Sequence, residues 1–295
     1  MRKKNLLNIS DLERKDVLDI LKYSEDLKNS KSNILDNKSI GLIFEKYSTR
    51  TRLSFQVGIK QLGGNSIDIR FEELNLQRVE TFEDTFKIFG CYLDAIVYRT
   101  SKHENLIKAS QNFKKPIINA LSDLSHPCQI ISDIYTIKNH FNSLEGLSIS
   151  WFGDINNVLF SYFEILRLFP EISLNVFTDK KIYNDNSQNF PKTSNINIYF
   201  DINESLIKNT DCIMTDVFTS MNDLSDKKQS SLQKFQINKK ILDLTKDECI
   251  FMHCLPANKG QEVTEDVLVD KKSIILEQAK NRLVAQKGIL QWLDI

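Results

Sequence analysis

The sequence predicts an α/β protein with two doubly wound parallel β-sheets, one in each of two domains. Strand-like apolar runs alternate with stretches whose apolar residues recur at helical spacing, the pattern of parallel strands joined by helices. A polar stretch at residues 142–146 interrupts this alternation before a second series begins. The 295 residues, 41% of them hydrophobic, suffice for two cores of ordinary domain size. We therefore expect one domain at residues 1–141 and another at 142–276.

The first domain is predicted from apolar runs of strand length and from helix start signals. The predicted strands cover residues 40–44, 66–70, 95–98 and 116–121, and the predicted helices cover 11–29, 50–62, 81–89, 103–111 and 126–139. Pro127 stands at the first helical position of the last helix, where its missing N–H costs nothing.

The second domain repeats the same alternation. Its predicted strands cover residues 147–152, 173–177, 195–200, 212–215 and 249–253, and its clearest helix covers 157–168. Residues 179–194 are rich in Asn, Lys and Ser and are expected to form a surface loop, whereas residues 220–231 have few apolar anchors and are expected to be mobile. The closing segment, 277–295, is expected to be an amphipathic helix that packs back on the first domain.

Charge and cysteine content exclude several classes of protein. Lys plus Arg and Asp plus Glu number 39 each, so no overall field would attract nucleic acid or an anionic membrane. No apolar run approaches the roughly 18 residues that a membrane helix needs. The five cysteines show no paired metal or redox spacing, and their odd number argues against a disulfide framework. We expect a cytoplasmic protein with reduced thiols and no nucleic-acid or membrane partner.

A Ser-Thr-Arg-Thr-Arg string follows the first predicted strand and opens a helix. Ser48 and Thr49 offer hydroxyl groups and a cap for the first turn, whose N–H groups and positive dipole end favour an anion. Arg50 can add a planar charged group to the same oxygens. The string therefore predicts an anion site.

A second candidate site follows the strand at residues 116–121. His126 and Gln129 stand in His-Pro-Cys-Gln, and Arg99 ends another strand of the same domain. Ligands of open α/β sheets bind beyond the carboxyl ends of strands, so these side chains would present donors to a planar polar group such as a carbonyl.

Two motifs in the second domain also follow strands. Asp216, Ser220 and Met221 place a carboxylate, a hydroxyl and a thioether on one loop, which suits an amino-acid ligand. His-Cys-Leu-Pro at residues 253–256 puts Cys254 in a fixed loop, because the proline is expected to force an extended backbone on the residue before it.

Together these motifs resemble the ornithine carbamoyltransferase family in order and spacing. The resemblance rests on Phe-Glu-Lys-Tyr-Ser-Thr-Arg-Thr-Arg at 44–52, His-Pro-Cys-Gln at 126–129, Asp-x-x-x-Ser-Met at 216–221 and His-Cys-Leu-Pro-Ala at 253–257. It extends to the closing segment at 278–287 and so spans nearly the whole chain. Aspartate carbamoyltransferases share the first motif but carry Thr at the position of Cys128 and lack His-Cys-Leu-Pro. The resemblance therefore favours ornithine as the acceptor.

By this resemblance the chain binds carbamoyl phosphate and L-ornithine and forms citrulline and phosphate, without a cofactor or a metal. The residues implied for carbamoyl phosphate are Ser48, Thr49, Arg50, Thr51, Asn75, Arg99, His126, Gln129, Cys254, Leu255 and Arg282. Those implied for ornithine are Asn157, Asp216, Ser220 and Met221, and the resemblance implies an active site in the cleft between the two domains. His126 would polarise the carbonyl while the arginines hold the leaving phosphate.

The implied chemistry requires the attacking amine to lose a proton. An alkyl ammonium has an ordinary pKa of about 10.4, and Asp216 with Cys254 offers a local means of lowering the cost of deprotonation. The catalytic residues implied are therefore Arg50, His126, Asp216 and Cys254. The sequence leaves open whether the thiol or the carboxylate handles the proton.

The chain departs from the family pattern in several places. Tyr47 stands where Pro is usual, Asn222 where Gly is usual, and Asn258-Lys259 where His-Arg is common. Residues 74–80 read Leu-Asn-Leu-Gln-Arg-Val-Glu in place of Leu-Gln-Leu-Gly-Arg-Gly-Glu. In the family this segment reaches the neighbouring subunit's site, so the resemblance implies a homotrimer.

Three alternatives stay open. A carbamoyltransferase for putrescine or an acylated ornithine would share most motifs, and the altered 74–80 segment allows a catalytically silent relative. A nucleotide-binding dehydrogenase built on the Gly153-Asp154 turn lacks the second and third glycines of the dinucleotide fingerprint.

Overall fold

A computed structural model describes residues 4–74, 80–218 and 226–295 of the chain. The chain divides into two compact units, one formed by Met1–Tyr135 with Lys280–Ile295 and the other by Thr136–Ala279. The division falls inside two helices, whereas the sequence placed it in the polar stretch near residue 142. Composition marks exposed turns, and it does not reveal a helix that continues from one unit into the next.

The first unit is built on a four-stranded parallel sheet in the order β2-β1-β3-β4. Its strands are β1 (Ser39–Phe44), β2 (Asn65–Arg70), β3 (Ala95–Arg99) and β4 (Ile117–Leu121). The residues of β1 after Ser39 are mostly apolar, and all five are buried, as expected of an inner parallel strand. The chain leaves β1 toward β2 on one side and later returns to β3 on the other, so the carboxyl ends of β1 and β3 flank a topological switch point.

Helices connect the strands of this sheet and flank it. They are α1 (Arg14–Leu27), α2 (Thr49–Gln61), α3 (Phe82–Tyr92), α4 (His103–Asn112), α5 (Pro127–Phe141), which starts in this unit, and α12 (Ile275–Trp292), which ends in it. The closing helix packs back on the first unit as the sequence predicted: Lys287 Nζ donates to the carbonyl of Leu27 at 2.5 Å, and Trp292 Nε1 donates to Asp16 Oδ1 at 3.1 Å.

The second unit contains a five-stranded parallel sheet in the order β7-β6-β5-β8-β9. Its strands are β5 (Ser148–Phe152), β6 (Ser173–Phe177), β7 (Ile196–Tyr199), β8 (Cys212–Thr215) and β9 (Ile250–His253). Its helices are α6 (Asn157–Leu168), α7 (Lys180–Asn186), α8 (Glu204–Ile207), α9 (Asp226–Leu232), α10 (Lys239–Leu244) and α11 (Glu265–Leu268). Here the switch point lies between β5 and β8, and β9 adds to the far side of β8.

The predicted α/β class with two parallel sheets is confirmed, and one local expectation is wrong. Residues 179–194 are not a plain loop, because Asp179 caps the backbone N–H groups of Lys181 and Ile182 and starts α7. The polar segment 220–231 contains the start of α9, and residues 219–225 lie outside the described part of the chain, so the mobility expected of this segment stays a prediction.

Two further properties bear on the class of protein. Within the described residues, no helix combines the length and the apolar character needed to cross a bilayer. All five cysteines are free thiols, and three of them are buried.

Candidate active site

The turn between β1 and α2 lies at the switch point of the first sheet. Ser48 occupies the N-cap position with extended backbone (φ −154°, ψ 95°), but its side chain makes no cap hydrogen bond. Its hydroxyl instead accepts from Arg99 Nη1 at 3.2 Å. The predicted hydroxyl cap is therefore wrong for Ser48. The first-turn N–H groups, which have no intrahelical partner, are left to serve an anion.

Two buried or half-buried arginines converge on this turn from different elements. Arg99 ends β3 beside Ser48, and Arg282 of α12 donates from Nη2 to Thr51 Oγ1 at 2.6 Å. Arg282 and Thr51 are 5% and 2% exposed. Arg50, one residue before Thr51, is exposed to solvent. The first unit thus gathers cationic side chains around the start of α2, an arrangement that suits a phosphate group.

His126 precedes α5 and is buried in the same region. Burial lowers its pKa well below the ordinary 6.5, and the positive charges of Arg282 and Arg99 lower it further. The imidazole is therefore neutral at neutral pH and can act as a hydrogen-bond donor to an oxygen that gains negative charge. Its neighbour Cys128 differs: burial raises the pKa of the thiol to about 12, and Sγ donates to the carbonyl of Asn119 at 3.3 Å.

A buried amide stands one turn into α5. Gln129 is fully buried, and its Nε2 donates to Oδ1 of Asp133 at 2.9 Å. Asp133 is fully buried as well. This pair lies three residues beyond His126, at the carboxyl-end side of the first sheet.

Glu45 braces the two strand ends that carry the anion site. Its carboxylate accepts from Tyr98 Oη at 2.5 Å, from the Ser101 N–H at 2.9 Å and from Asn105 Nδ2 at 3.3 Å. Burial opposes its ionisation, but these hydrogen bonds outweigh burial and lower its pKa. Its backbone N–H also bonds the carbonyl of Arg99 at 3.0 Å. Glu45 thereby fixes the β1 end against the residues on both sides of Arg99.

The switch point of the second sheet holds an acid–thiol pair. Asp216 directly follows β8, and its Oδ1 accepts from Cys254 Sγ at 2.9 Å. Its Oδ2 accepts from Asn156 Nδ2 at 2.8 Å. Asn156 also caps α6, because its Oδ1 accepts from the N–H groups of Val158 and Leu159. One asparagine thus starts a helix and orients the carboxylate.

The loop that carries Cys254 is held by a buried histidine. His253 Nδ1 accepts from the Leu255 N–H at 2.8 Å, and Nε2 bonds Glu262 Oε1 at 3.2 Å. Glu262 Oε1 also accepts from the Asn258 N–H at 2.5 Å. The extended backbone predicted for Leu255 is wrong, since its φ is 57°, and the bond to His253 holds it in this left-handed conformation.

Asp216, His253 and Cys254 also form a set of metal-ligand types, with one ligand atom of each within 4.8 Å of the others. Both ring nitrogens of His253 are engaged by Leu255 and Glu262, and the thiol donates to the carboxylate. A metal ion would have to replace these bonds, so the arrangement fits hydrogen-bonded positioning better than metal ligation.

The turn at Gly153, on which the dehydrogenase alternative was based, has a structural reason for its glycine. Its φ is 115°, and a Cβ there would approach Phe218 Cε1 to 2.5 Å. Glycine is thus required by the packing of Phe218, two residues after Asp216, and nothing in this turn points to a nucleotide.

Comparison with known proteins covers both units. Residues 4–139 match the family model for the carbamoyl-P binding domain of aspartate/ornithine carbamoyltransferase, and residues 145–293 match the model for the Asp/Orn binding domain. The chain belongs to the aspartate/ornithine carbamoyltransferase family. It is therefore a carbamoyltransferase, as the sequence motifs indicated.

Individual relatives of this family align over nearly the full chain. An ornithine carbamoyltransferase of Methanosphaera stadtmanae is 42% identical over 298 residues, covering 97% of this chain and 98% of its own. The crystal structure of ornithine carbamoyltransferase from Thermus thermophilus superposes with a TM-score of 0.88 at 31% identity and 99% coverage of both chains. An anabolic ornithine carbamoyltransferase from Campylobacter jejuni gives a TM-score of 0.88 at 30% identity, also with 99% coverage of both.

The structure brings the predicted residues of this carbamoyltransferase together in two groups. In the first unit these are Ser48, Thr49, Arg50, Thr51, Arg99, His126, Gln129 and Arg282; in the second they are Asn157, Asp216, Cys254 and Leu255. Asn75, Ser220 and Met221 lie outside the described residues, as do most of the 74–80 segment and Asn222. Tyr47, the departure from proline, is 92% exposed. The cleft expected between the domains stays a prediction.

Sequence reasoning missed the carboxylates and the amide that orient this family's reactive groups. Glu45 stands inside the first quoted motif but was given no role, and Asp133 and Glu262 were not singled out. Asn156 was overlooked in favour of Asn157, although an asparagine just before a helix is a strong N-cap signal. The partners of Glu45 and Glu262 depend on the fold and had no local signal, whereas the (i, i+4) spacing of Gln129 and Asp133 on a predicted helix could have indicated that pair.

Proposed function

We propose that the protein is an ornithine carbamoyltransferase, which transfers the carbamoyl group of carbamoyl phosphate to the side-chain amine of L-ornithine and yields L-citrulline and phosphate. The observation that carries the choice of acceptor is the Cys254–Asp216 hydrogen bond beside Asn156. This acid–thiol pair suits an ammonium group, whereas the second carboxylate of aspartate would require cations there.

The first unit supplies the carbamoyl donor site. Ser48, Thr49, Arg50, Thr51, Arg99 and Arg282 bind the phosphate. Neutral His126 donates a hydrogen bond to the carbonyl oxygen, which gains charge as the amine attacks the carbon. Gln129 contacts the rest of the carbamoyl group. The C–N bond forms, the bond from carbon to the phosphate oxygen breaks, and the arginines stabilise the departing phosphate.

The second unit supplies the acceptor site. Asp216 and Asn157 hold the amine beside Cys254, and Ser220 and Met221 complete the ornithine contacts. In the resting enzyme the thiol donates to the carboxylate, so Asp216 carries the negative charge that can receive the ammonium proton. The amine then attacks in its neutral form.

An activity assay can distinguish an ornithine carbamoyltransferase from an enzyme that uses putrescine or an acylated ornithine, and from an inactive relative. Putrescine lacks the α-carboxylate of ornithine, and an acylated ornithine lacks its α-ammonium group. No observation on the described residues favours either of them, and the aligned relatives are named for ornithine. The altered residues at 75, 77, 79 and 222 are the places where an inactive relative would have lost its function.

We propose in addition that the enzyme is a cytoplasmic homotrimer of arginine biosynthesis. The free thiols support a reducing compartment, and the anabolic name of the Campylobacter jejuni relative supports the biosynthetic direction. Exposed apolar side chains precede and follow the 74–80 segment: Ile67 is 42%, Ile88 48% and Tyr92 73% exposed. Such side chains support a subunit contact on the first unit.

The test is citrulline formation from carbamoyl phosphate, with ornithine, putrescine, N-acetylornithine and aspartate each supplied as the sole acceptor. We expect turnover with ornithine alone and a loss of at least about 10²-fold in Arg50→Ala, because the variant loses charge stabilisation of the leaving phosphate. Turnover with another acceptor only, or carbamoyl phosphate binding without any turnover, would contradict the proposal.

A further inference from the structure

The Gln129–Asp133 pair fixes which end of the amide faces the donor site. A carboxylate only accepts hydrogen bonds, so Gln129 must present its NH₂ group to Asp133. The amide oxygen, Oε1, is then turned away from Asp133. Both side chains are fully buried, and reversing the amide would turn its oxygen toward the carboxylate, so that two acceptors would face each other.

Oε1 of Gln129 is a buried acceptor that has no hydrogen-bond partner among the described residues. Such an atom is costly unless a ligand supplies a donor. Gln129 lies one turn after His126, whose pKa reports the nearby charges of Arg99 and Arg282. The ligand expected beside this acceptor is therefore an anion that also carries an N–H donor.

We propose that Asp133 is a specificity-determining positioning residue: by holding the NH₂ group of Gln129, it aims the amide oxygen at the amino group of the carbamoyl donor. The inference rests on the proposed function and deepens it. Inorganic phosphate has no N–H group to offer. Acetyl phosphate carries a methyl group where carbamoyl phosphate carries NH₂, so it leaves Oε1 without a partner.

This arrangement predicts a particular selectivity. A site built to bond a substrate N–H rejects the analogue that lacks it, because a buried polar atom of the protein stays unpaired. We expect the parent enzyme to bind carbamoyl phosphate at least about ten-fold more tightly than acetyl phosphate. Affinity for inorganic phosphate, which depends on the arginines and the start of α2, is expected to be independent of Asp133.

The experiment measures dissociation constants of inorganic phosphate, acetyl phosphate and carbamoyl phosphate for the full-length parent, Asp133→Leu, Asp133→Asn and Gln129→Met. In Asp133→Leu the amide is no longer held, so the preference for carbamoyl over acetyl phosphate is expected to fall by about ten-fold while phosphate affinity stays within about two-fold. Asp133→Asn, whose amide can accept or donate, is expected to be intermediate. Gln129→Met lacks the acceptor and is expected to lose the preference to the same extent as Asp133→Leu.

The outcomes separate this inference from the proposed function. An unchanged preference in Asp133→Leu overturns the inference, and so does an equal loss of affinity for all three ligands, which would indicate a purely structural role. If Asp133→Leu does not fold, Asp133→Asn decides: a preference equal to that of the parent, with Gln129→Met having lost it, overturns the role of Asp133. If the parent protein carbamoylates no acceptor, the proposed function is wrong. Its preference for carbamoyl phosphate over acetyl phosphate can still be measured from the dissociation constants, so the inference about Asp133 is tested separately.

Discussion

Asn156 combines a structural and a functional role that substitution can separate. Its Oδ1 caps α6, and its Nδ2 orients Asp216. Asn156→Ser keeps a capping oxygen but is too short to reach Asp216, whereas Asn156→Ala loses both interactions. We expect both variants to lower kcat/KM for ornithine by about 10-fold or more, since a hydrogen bond to a charged group is worth about 1.5–3 kcal/mol.

Stability distinguishes the two variants. Asn156→Ala is expected to have an unfolding free energy about 1 kcal/mol lower than that of Asn156→Ser, because both variants lose the bond to Asp216 and only serine keeps a capping oxygen. Urea unfolding with fluorescence detection measures this difference. Equal stability of the two variants, or an unchanged kcat/KM in both, would show that the assigned contacts do not matter.

His126 makes stability depend on pH in a defined direction. The folded state holds its pKa well below 6.5, whereas the unfolded chain protonates near the ordinary value. The unfolded state therefore binds the extra proton, and stability falls as pH drops below 6.5. The slope from this one group approaches about 1.4 kcal/mol per pH unit. The unfolding free energies of the parent and of His126→Gln are measured from pH 7.5 to 5. We expect the free energy to fall less steeply with decreasing pH in the variant than in the parent.

His140 is the matched control for this measurement. It is exposed near the end of α5, the helix that follows His126. His140→Gln is expected to reproduce the parent slope. If His126→Gln keeps the parent slope, the imidazole is not held neutral by its surroundings.

At the same scale, the sequence predicted residues with strong local signals and missed those defined by a distant partner. Ser48, His126 and Cys254 follow strands inside recognisable motifs. Glu262 acts only because the fold places it against His253, nine residues earlier in the chain. No spacing rule anticipates such a pair, because carboxylates are mostly exposed.

At the scale of elements, α12 approaches α1 so closely that only glycine fits. A Cβ at Gly288 would collide with Ser24 Oγ and would lie 2.6 Å from the carbonyl oxygen of Ile20. Gly288→Ala is therefore expected to destabilise the protein by about 1–3 kcal/mol, despite alanine's higher helix propensity, because backbone atoms cannot move aside. The shift in the urea midpoint measures this effect.

Gly58 in α2 provides the opposite case. A Cβ there would meet Leu283 Cδ1 at 3.4 Å, an ordinary contact. Gly58→Ala is expected to be neutral or stabilising by up to about 1 kcal/mol. A Gly288→Ala variant as stable as Gly58→Ala would mean that α1 and α12 separate at no cost.

Element length explains which parts of the fold were predictable. Apart from the edge strands β2 and β7, whose residues are exposed or half-buried, the strands of both sheets are largely buried runs of four to six residues, and the longer helices show clear spacing of apolar residues. Helices α8, α10 and α11 have only four to six residues, too few to show a helical period. Asn203 and Asn238 cap α8 and α10, whereas α11 has no side-chain cap.

At the scale of the whole molecule, the proposed trimer predicts complementation between inactive chains. Arg50→Ala disables the donor site of its own chain, whereas Asn75→Ala disables the segment proposed to act on a neighbour. When the two variants are co-expressed in equal amounts, we expect about one quarter of the parent activity. In a randomly assembled ring, about half of the sites have an intact Arg50, and about half of those receive an intact Asn75 from the neighbouring chain.

The control is a pair of variants whose defects both lie in the donor site of a single chain. Arg50→Ala co-expressed with Arg282→Ala should stay inactive, because both residues belong to the same unit and no mixed assembly restores it. Absence of recovery in the first mixture, with normal assembly by mass photometry, would contradict a shared site.

The first unit is discontinuous along the chain, and this has a consequence for synthesis. Residues 136–279 are one uninterrupted stretch, whereas the first unit needs residues 280–295 as well. On the ribosome, the unit that is second in sequence can therefore complete its contacts first. Arg282, which bonds Thr51, arrives only with the last residues. A nascent chain that stalls before residue 280 thus has the start of α2 but lacks this cation, so premature termination yields a product without a complete phosphate site.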